Sequence, residues 1–226
     1  MEKLRGQMQV AVDAVVFTVE NDVLKILLIE RRNQPFQGRF ALPGGFVNPD
    51  EEFEQAVKRE LFEETGVKDI FVKQIGAYGK VSRDPRGRII SIAFLALISH
   101  DQNLKAATDA AKVKWAPLND LPPLAFDHRQ IISDSLEVLK FEIQTTNIAR
   151  EILPEEFTLS NLQSLYENIL QRKLDKRNFR KKIRELELVK ETGKQFMEGA
   201  HRPAMLYEFR DKEYENLKER MHVLLS

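Results

Sequence analysis

GFVNPDEEFEQAVKRELFEETGV, running from Gly45 to Val67, decides how the rest of the chain is read. It has a loop half and a helix half. Asn48 is placed to cap the helix, and Pro49 falls at the first helical position, where a missing N–H costs nothing. Glu51, three residues past that cap, can close a capping box, and Gly66 is a natural terminator. Phe53, Ala56, Val57 and Leu61 recur at helical spacing, which predicts one buried face. Glu60, Glu63 and Glu64 share another side of the helix. Carboxylates crowded in this way repel one another, and a cation relieves them. Hard oxygen ligands suit Mg²⁺, with Mn²⁺ as the alternative. Arg59 and Glu51 stand two turns apart on one side, within reach of each other.

The spacing is a full match to the Nudix box, G-x5-E-x7-R-E-U-x-E-E-x-G-U, where U is bulky and aliphatic. Gly45, Glu51, Arg59, Glu60, Leu61, Glu63, Glu64, Gly66 and Val67 fill its defined positions. The bland alternative is a charged, solvated helix face. The resemblance implies a Nudix fold that binds a divalent metal and a nucleoside diphosphate derivative. Glu60, Glu63 and Glu64 would then hold the metal, joined by the carbonyl of Gly44, which stands just before the box glycine. Glu51 and Arg59 would complete the catalytic set by fixing the geometry between loop and helix.

Composition bounds the rest. A chain of 226 residues makes one large or two small domains. The formal net charge of +0 implies no global polyelectrolyte partner, so any nucleic-acid surface must be local. The absence of cysteine excludes disulfides and thiolate zinc sites. No basic-then-apolar leader appears, and no apolar run approaches the ~20 residues that span a bilayer. A cytoplasmic protein with no membrane partner is expected.

Taken in order, Val10 to Val19 and Leu24 to Ile29 read as strands of a hairpin, turned at Asn21-Asp22. Glu30 to Phe40 is a polar loop. In a Nudix reading its Arg31 and Arg32 point towards the metal site; solvated loop arginines are the alternative. Gly44 and Gly45 allow backbone to approach a phosphate or metal closely. Ile70 to Gly79 and Ile89 to Ser99 are further strands, with the loop SRDPRGR (Ser82 to Arg88) between them. Beside a bound metal such a loop suits a pyrophosphate, because guanidinium forks match phosphate oxygens. Arg83 and Arg86 are its candidates, and a solvated hairpin tip reads equally well. Val113 to Trp115 is a short strand. Asp127 is placed to cap a helix running to about Ile143. His128 reads as a capping or packing residue, or as a catalytic base.

The pattern changes across Thr145 to Pro154, which divides the chain into domains 1–148 and 149–226. Thr158 caps a helix over Leu159 to Leu170, and Asp175 caps a second over Lys176 to Glu187. The second helix carries Lys176, Arg177, Asn178, Arg180, Lys181, Lys182 and Arg184, with Phe179, Ile183 and Leu186 facing inward. Val189 to Thr192 and Ala204 to Phe209 read as strands around a loop with Gly199, His201 and Arg202. Helix, turn, helix and hairpin in that order is the winged-helix arrangement. Its second helix enters the major groove of double-stranded DNA and its wing lies on the flanking backbone. Lys176, Arg177, Arg180, Lys181, Arg184, His201 and Arg202 would contact DNA, and Asn178 could read adenine. A basic helix packed on the first domain is the alternative.

A complete Nudix domain followed by a winged helix, an α+β chain overall, resembles the Nudix-related transcriptional regulators. These include ADP-ribose-sensing regulators of NAD biosynthesis and sugar-responsive regulators of arabinose use. The resemblance covers nearly the whole chain. It rests on the box, on SRDPRGR, on Ala125-Phe126-Asp127-His128, on LDKRNFRKKI from Leu174 and on HRPAMLYEF from His201. It implies an ADP-ribose-like ligand, DNA as a partner and a homodimer joined through the Nudix domain. Two functions follow. One is Mg²⁺-dependent binding and hydrolysis of ADP-ribose or a related nucleoside diphosphate sugar, coupled to DNA binding as a transcriptional regulator. The other is a non-catalytic repressor that senses a sugar or nucleotide.

Overall fold

Aliphatic residues fill β1 (Gln9–Glu20) and β2 (Val23–Arg31). The turn between them puts Asn21 at φ 50° and Asp22 at φ 59°. These are left-handed values that short polar side chains tolerate best after glycine. The computed structural model describes residues 8–68, 70–99, 110–197 and 203–210. β3 (Phe40–Ala41), β4 (Gly44–Phe46), α1 (Phe53–Thr65), β5 (Phe71–Tyr78), β6 (Ile89–Leu97), β7 (Ala110–Pro117) and α2 (His128–Thr145) follow. The strands form one mixed seven-stranded sheet in the order β3-β2-β1-β6-β5, with β4 also on β1 and β7 also on β2. β1 runs parallel to β6 and antiparallel to β4, a register that sets Asp13 opposite both Ala93 and Gly44. Ala56, Val57 and Leu61 of α1, with 0% exposure each, pack on Val12, Ala14 and Val16 of β1 and on Phe94 and Ala96 of β6.

Helix α1 starts later than the sequence suggests. Its N-cap is Glu52, whose N–H is taken by Gln55 Oε1 at 2.9 Å, and the expected cap Asn48 lies outside the helix. The reason is Glu51. Its carboxylate accepts from Asn48 N at 2.8 Å and from Arg59, which holds residues 48–51 as a turn. The end matches expectation: Gly66, at φ 74°, donates its N–H to Phe62 O at 2.9 Å. β7 is longer than the expected three-residue strand. Asp127 does not cap α2 with its side chain, because Arg83 takes both carboxylate oxygens.

By its internal contacts the chain divides into two units, Met1–Thr18 with Lys25–Ser135, and Val19–Leu24 with Leu136–Ser226. In the second unit a 3₁₀ turn (Ile148–Glu151) leads to β8 (Phe157–Thr158), α3 (Leu159–Leu170), α4 (Lys176–Glu185), β9 (Val189–Phe196) and β10 (Ala204–Phe209). Thr158 caps α3 by accepting from Asn161 N at 3.1 Å, and Asp175 caps α4 by accepting from Asn178 N at 2.8 Å. Leu162, Leu165, Tyr166 and Ile169 of α3 are buried, as are Phe179 and Ile183 of α4; the Tyr166 and Phe179 rings meet edge-on at 5.3 Å. The strands pair antiparallel in the order β8-β10-β9. This is a winged helix. Strand β8 has only two residues, too short to show in the sequence pattern. Among the described residues no helix is long and apolar enough to cross a membrane.

Candidate functional site

Arg59 ties the box together. It grips Glu51 with two hydrogen bonds, Nε to Oε2 at 2.9 Å and Nη2 to Oε1 at 2.6 Å. Its Nη1 donates to Glu60 at 2.8 Å and to Glu63 at 3.2 Å, and Nη2 also reaches Phe46 O at 3.1 Å. One guanidinium thus fixes the loop to the helix, as the sequence leads one to expect. Arg59's hydrogen bonds hold the Glu51 carboxyl down at about 2. Burial pushes the Glu60 carboxyl above its ordinary value, against the pull of Arg59.

The three carboxylates expected on one side of α1 divide. Glu63 is 52% exposed and turned to Arg59, whereas Glu60 and Glu64 turn inward to Gly44-Gly45. Glu64 Oε2 accepts from Gly44 N at 2.9 Å. A Cβ placed on Gly45 would stand 2.3 Å from Glu60 Oε1, so the absence of a side chain lets that carboxylate in. Gly44 is more constrained still: its φ is 153°, and a Cβ there would lie 2.1 Å from Val12 O. Among the described residues no group of three or more His, Cys, Asp or Glu side chains is arranged to hold a metal ion by itself. Two carboxylates against a glycine dipeptide nevertheless form a hard-oxygen donor set of the kind Mg²⁺-type cations take, completed by backbone carbonyls and water.

An open cleft beside this set is lined by Asp13, Arg31, Gly44, Gly45, Glu64, Arg83, Arg86, Phe126 and His128, among others. Arg31 and Arg86 both lie over the Phe126 ring, their Cζ atoms 4.8 and 5.6 Å from its centroid. Burial first, and then the charge of Arg86, lower the Arg31 pKa. Two cations sharing one aromatic ring in a cleft make a place where an anion is stabilised. Asp84 holds Arg86 by hydrogen bonds of 2.7 to 3.0 Å, and Pro35 O holds Arg31 Nε at 2.8 Å. Arg32 is exposed and does not line the cleft.

Arg83 departs from expectation. It is 7% exposed and already engaged, with Asp127 at 2.8 to 3.2 Å and Asp13 at 3.3 Å. It braces the cleft wall from within, since a buried guanidinium must have its charge met by carboxylates. Asp13 and Ser91 were not singled out from the sequence, and Asp84 and Phe126, though inside segments that carry the resemblance, were given no role. Asp13 had a signal: it is a charge inside the apolar run VAVDAVV. It accepts from Ser91 Oγ and from Arg83. His128 is 3% exposed, and its Nδ1 accepts from Leu42 N at 2.8 Å, so it packs and positions.

In the second unit α4 presents Lys176, Arg177, Asn178, Lys181 and Arg184 on its exposed surface. Arg180, expected to be exposed, is half-buried and donates from Nη2 to Ser160 Oγ of α3 at 3.3 Å. His201 and Arg202 of the wing loop, with Gly199, lie outside the described residues.

Compared with known proteins, residues 8–135 match the family model described as the NUDIX domain, and residues 149–209 match that of the NrtR DNA-binding winged helix domain. The chain is 34% identical over 208 residues to the ADPR responsive transcriptional repressor NtrR of Acinetobacter baylyi, covering 90% of this chain and 83% of that one. It is 50% identical over 125 residues to the ADP-ribose pyrophosphatase of Methanocaldococcus jannaschii, covering 55% and 71%. The crystal structure of Shewanella oneidensis NrtR complexed with a 27mer DNA is 37% identical and superposes with a TM-score of 0.78 over 89% of this chain and 93% of that one. The NUDIX domain of the same Shewanella protein, complexed with ADP ribose, is 40% identical with a TM-score of 0.57 over 62% of this chain and 93% of that one.

Proposed function

The chain belongs to the NUDIX family and carries the winged helix of NrtR regulators, and from that premise we propose that it is a transcriptional repressor whose Nudix domain binds ADP-ribose. Residues 1–148 take the ligand and 149–226 take double-stranded DNA. The observation that carries this reading is the cleft, where Arg31 and Arg86 converge on Phe126 beside Glu60, Glu64 and Gly44. A diphosphate answers both halves. Its oxygens would meet the Arg31 guanidinium and that of Arg86, which Asp84 holds in place, and the carboxylates would hold a divalent cation beside it. The exposed basic surface of α4 supplies phosphate contacts to DNA, with Asn178 available to a base edge. We place the protein with the DNA it regulates, in the cytoplasm, as a homodimer joined through the Nudix domain.

A second reading stands beside the first, because every carboxylate of the box is present. In it the same cleft hydrolyses its ligand slowly and resets the signal. Family members use a divalent metal. Here Mg²⁺ or Mn²⁺ would be held by Glu60, Glu64 and the Gly44 carbonyl, with Glu63 joining from the helix surface. The metal would polarise phosphorus and lower the pKa of a bound water. The chain's own part is to bind and orient. Arg59 and Glu51 keep the helix in register with the loop, Arg31 and Arg86 neutralise charge on the phosphates, and Phe126 gives both guanidinium groups one ring to lie over at the cleft.

The test is selection from a random DNA pool, followed by titration of the selected duplex with and without ADP-ribose, and assay of AMP release with Mg²⁺. Weakened DNA binding on adding ADP-ribose supports the repressor. AMP release supports hydrolysis. Recovery of no preferred sequence leaves the repressor without support.

A further inference from the structure

Three consecutive residues lead into the box, and each is pinned by a different partner. Leu42 N donates to His128 Nδ1 at 2.8 Å. Pro43 O accepts from Ala14 N at 2.8 Å, and Gly44 N donates to Glu64 Oε2 at 2.9 Å. The first pin comes from a side chain outside the box, at the start of α2. An imidazole nitrogen that accepts carries no proton, so the proton is on Nε2, which faces Asp13 Oδ1 at 3.4 Å. Asp13 is itself fixed by Ser91 Oγ and by Arg83 Nη2. Burial pushes the imidazole pKa down, which leaves Nδ1 free to accept. The ring also packs against Phe126 at 5.2 Å.

We propose that His128 is a positioning residue. By holding a neutral acceptor under the Leu42 amide it sets where Gly44-Gly45, and with them Glu60 and Glu64, stand towards a divalent cation and a diphosphate. Its tautomer is chosen by Asp13, so β1 and α2 together define the loop between β3 and β4. The proposal rests on the ligand reading above only for its diphosphate half.

The substitutions that separate positioning from mere filling are His128→Asn, His128→Gln and His128→Leu, in the full-length chain. The asparagine Oδ1 falls where Nδ1 stood, so it keeps the acceptor; the glutamine oxygen falls nearer the Nε2 place; leucine has none. Three quantities are read: exchange of the Leu42 amide by NMR, Mn²⁺ affinity by electron paramagnetic resonance, and ADP-ribose affinity by calorimetry. The Asn variant should keep the Leu42 amide protected and bind within about threefold of wild type. The Gln and Leu variants should lose that protection and bind about tenfold more weakly, the size expected for one unsatisfied buried donor. Gln decides the matter if the Leu variant does not fold. Equal affinities across the three variants, or Leu42 protection retained in all of them, would overturn the proposal. A wild type that binds Mn²⁺ but not ADP-ribose would defeat the ligand reading instead, and Leu42 exchange with Mn²⁺ affinity would still judge His128.

Discussion

Glu64 is the residue whose loss should matter most to chemistry and least to folding. Glu64→Gln keeps the shape and an acceptor for Gly44 N but removes the charge. Mg²⁺-dependent AMP release should fall by about two orders of magnitude, as when other transition-state electrostatic groups are removed, with the thermal midpoint little changed. Equal rates in wild type and variant would count against hydrolysis at this site. Gly44→Ala should do the reverse and strike the fold. Its Cβ would meet Val12 O in the paired strand, so ~1–3 kcal/mol of strain and overpacking is expected by denaturant titration. Glu51 sets a pH dependence. Its carboxyl is held at about 2 by Arg59, below the ordinary 4.5. A carboxyl depressed by folding stabilises fully above its unfolded pKa, and that contribution is lost as pH falls through the folded value. The gap in thermal midpoint between wild type and Glu51→Gln should therefore be constant above pH 4.5 and narrow towards about pH 2; parallel curves would refute it. At this scale the box residues were legible because a motif specifies them locally. The roles of Asp13 and Phe126 were not, since Asp13 meets Arg83 and Ser91 across 70 and 78 residues and Phe126 meets Arg31 and Arg86 from another part of the chain.

At the scale of elements, α4 separates into two kinds of basic residue. Arg177 and Lys181 are exposed, so Ala at either should leave stability unchanged. Each should weaken DNA binding across sequences and lower the salt slope by about one. Arg180 is different. It is half-buried against α3 through Ser160, so Arg180→Ala should also cost about 1 kcal/mol of stability, measured by denaturant melting. A stability equal to wild type would return Arg180 to the exposed set. The helix itself was legible: Asp175 as a cap and Phe179, Ile183 and Leu186 as an apolar stripe need only local spacing. The start of α1 was not. Asn48-Pro49 has the composition of a helix start, but Arg59, two turns on, takes Glu51 and shifts the cap to Glu52. Propensity lost there to a bidentate ion pair.

For the whole molecule, ADP-ribose can change DNA affinity only if it binds the DNA-competent and free states unequally, and DNA must then change ADP-ribose affinity by the same factor. Calorimetric titration of ADP-ribose with and without the selected duplex should give that reciprocity; equal affinities would mean the two sites are not coupled. A dimer at micromolar concentration is expected by light scattering, matching two half-sites on DNA. Read alone, the amino-acid sequence determined the Nudix box, the order of helices and hairpin in the winged helix, and hence the fold class. These features are written in short-range spacing, where hydrophobic period and capping chemistry act within a few residues. The tertiary structure alone decided which carboxylates turn to Gly44-Gly45, that Arg83 braces the wall while Arg31 and Arg86 share Phe126, and that His128 holds Leu42. The partners in those interactions are distant in sequence and adjacent in space, and a buried charge takes whichever partner the folded sheet brings to it.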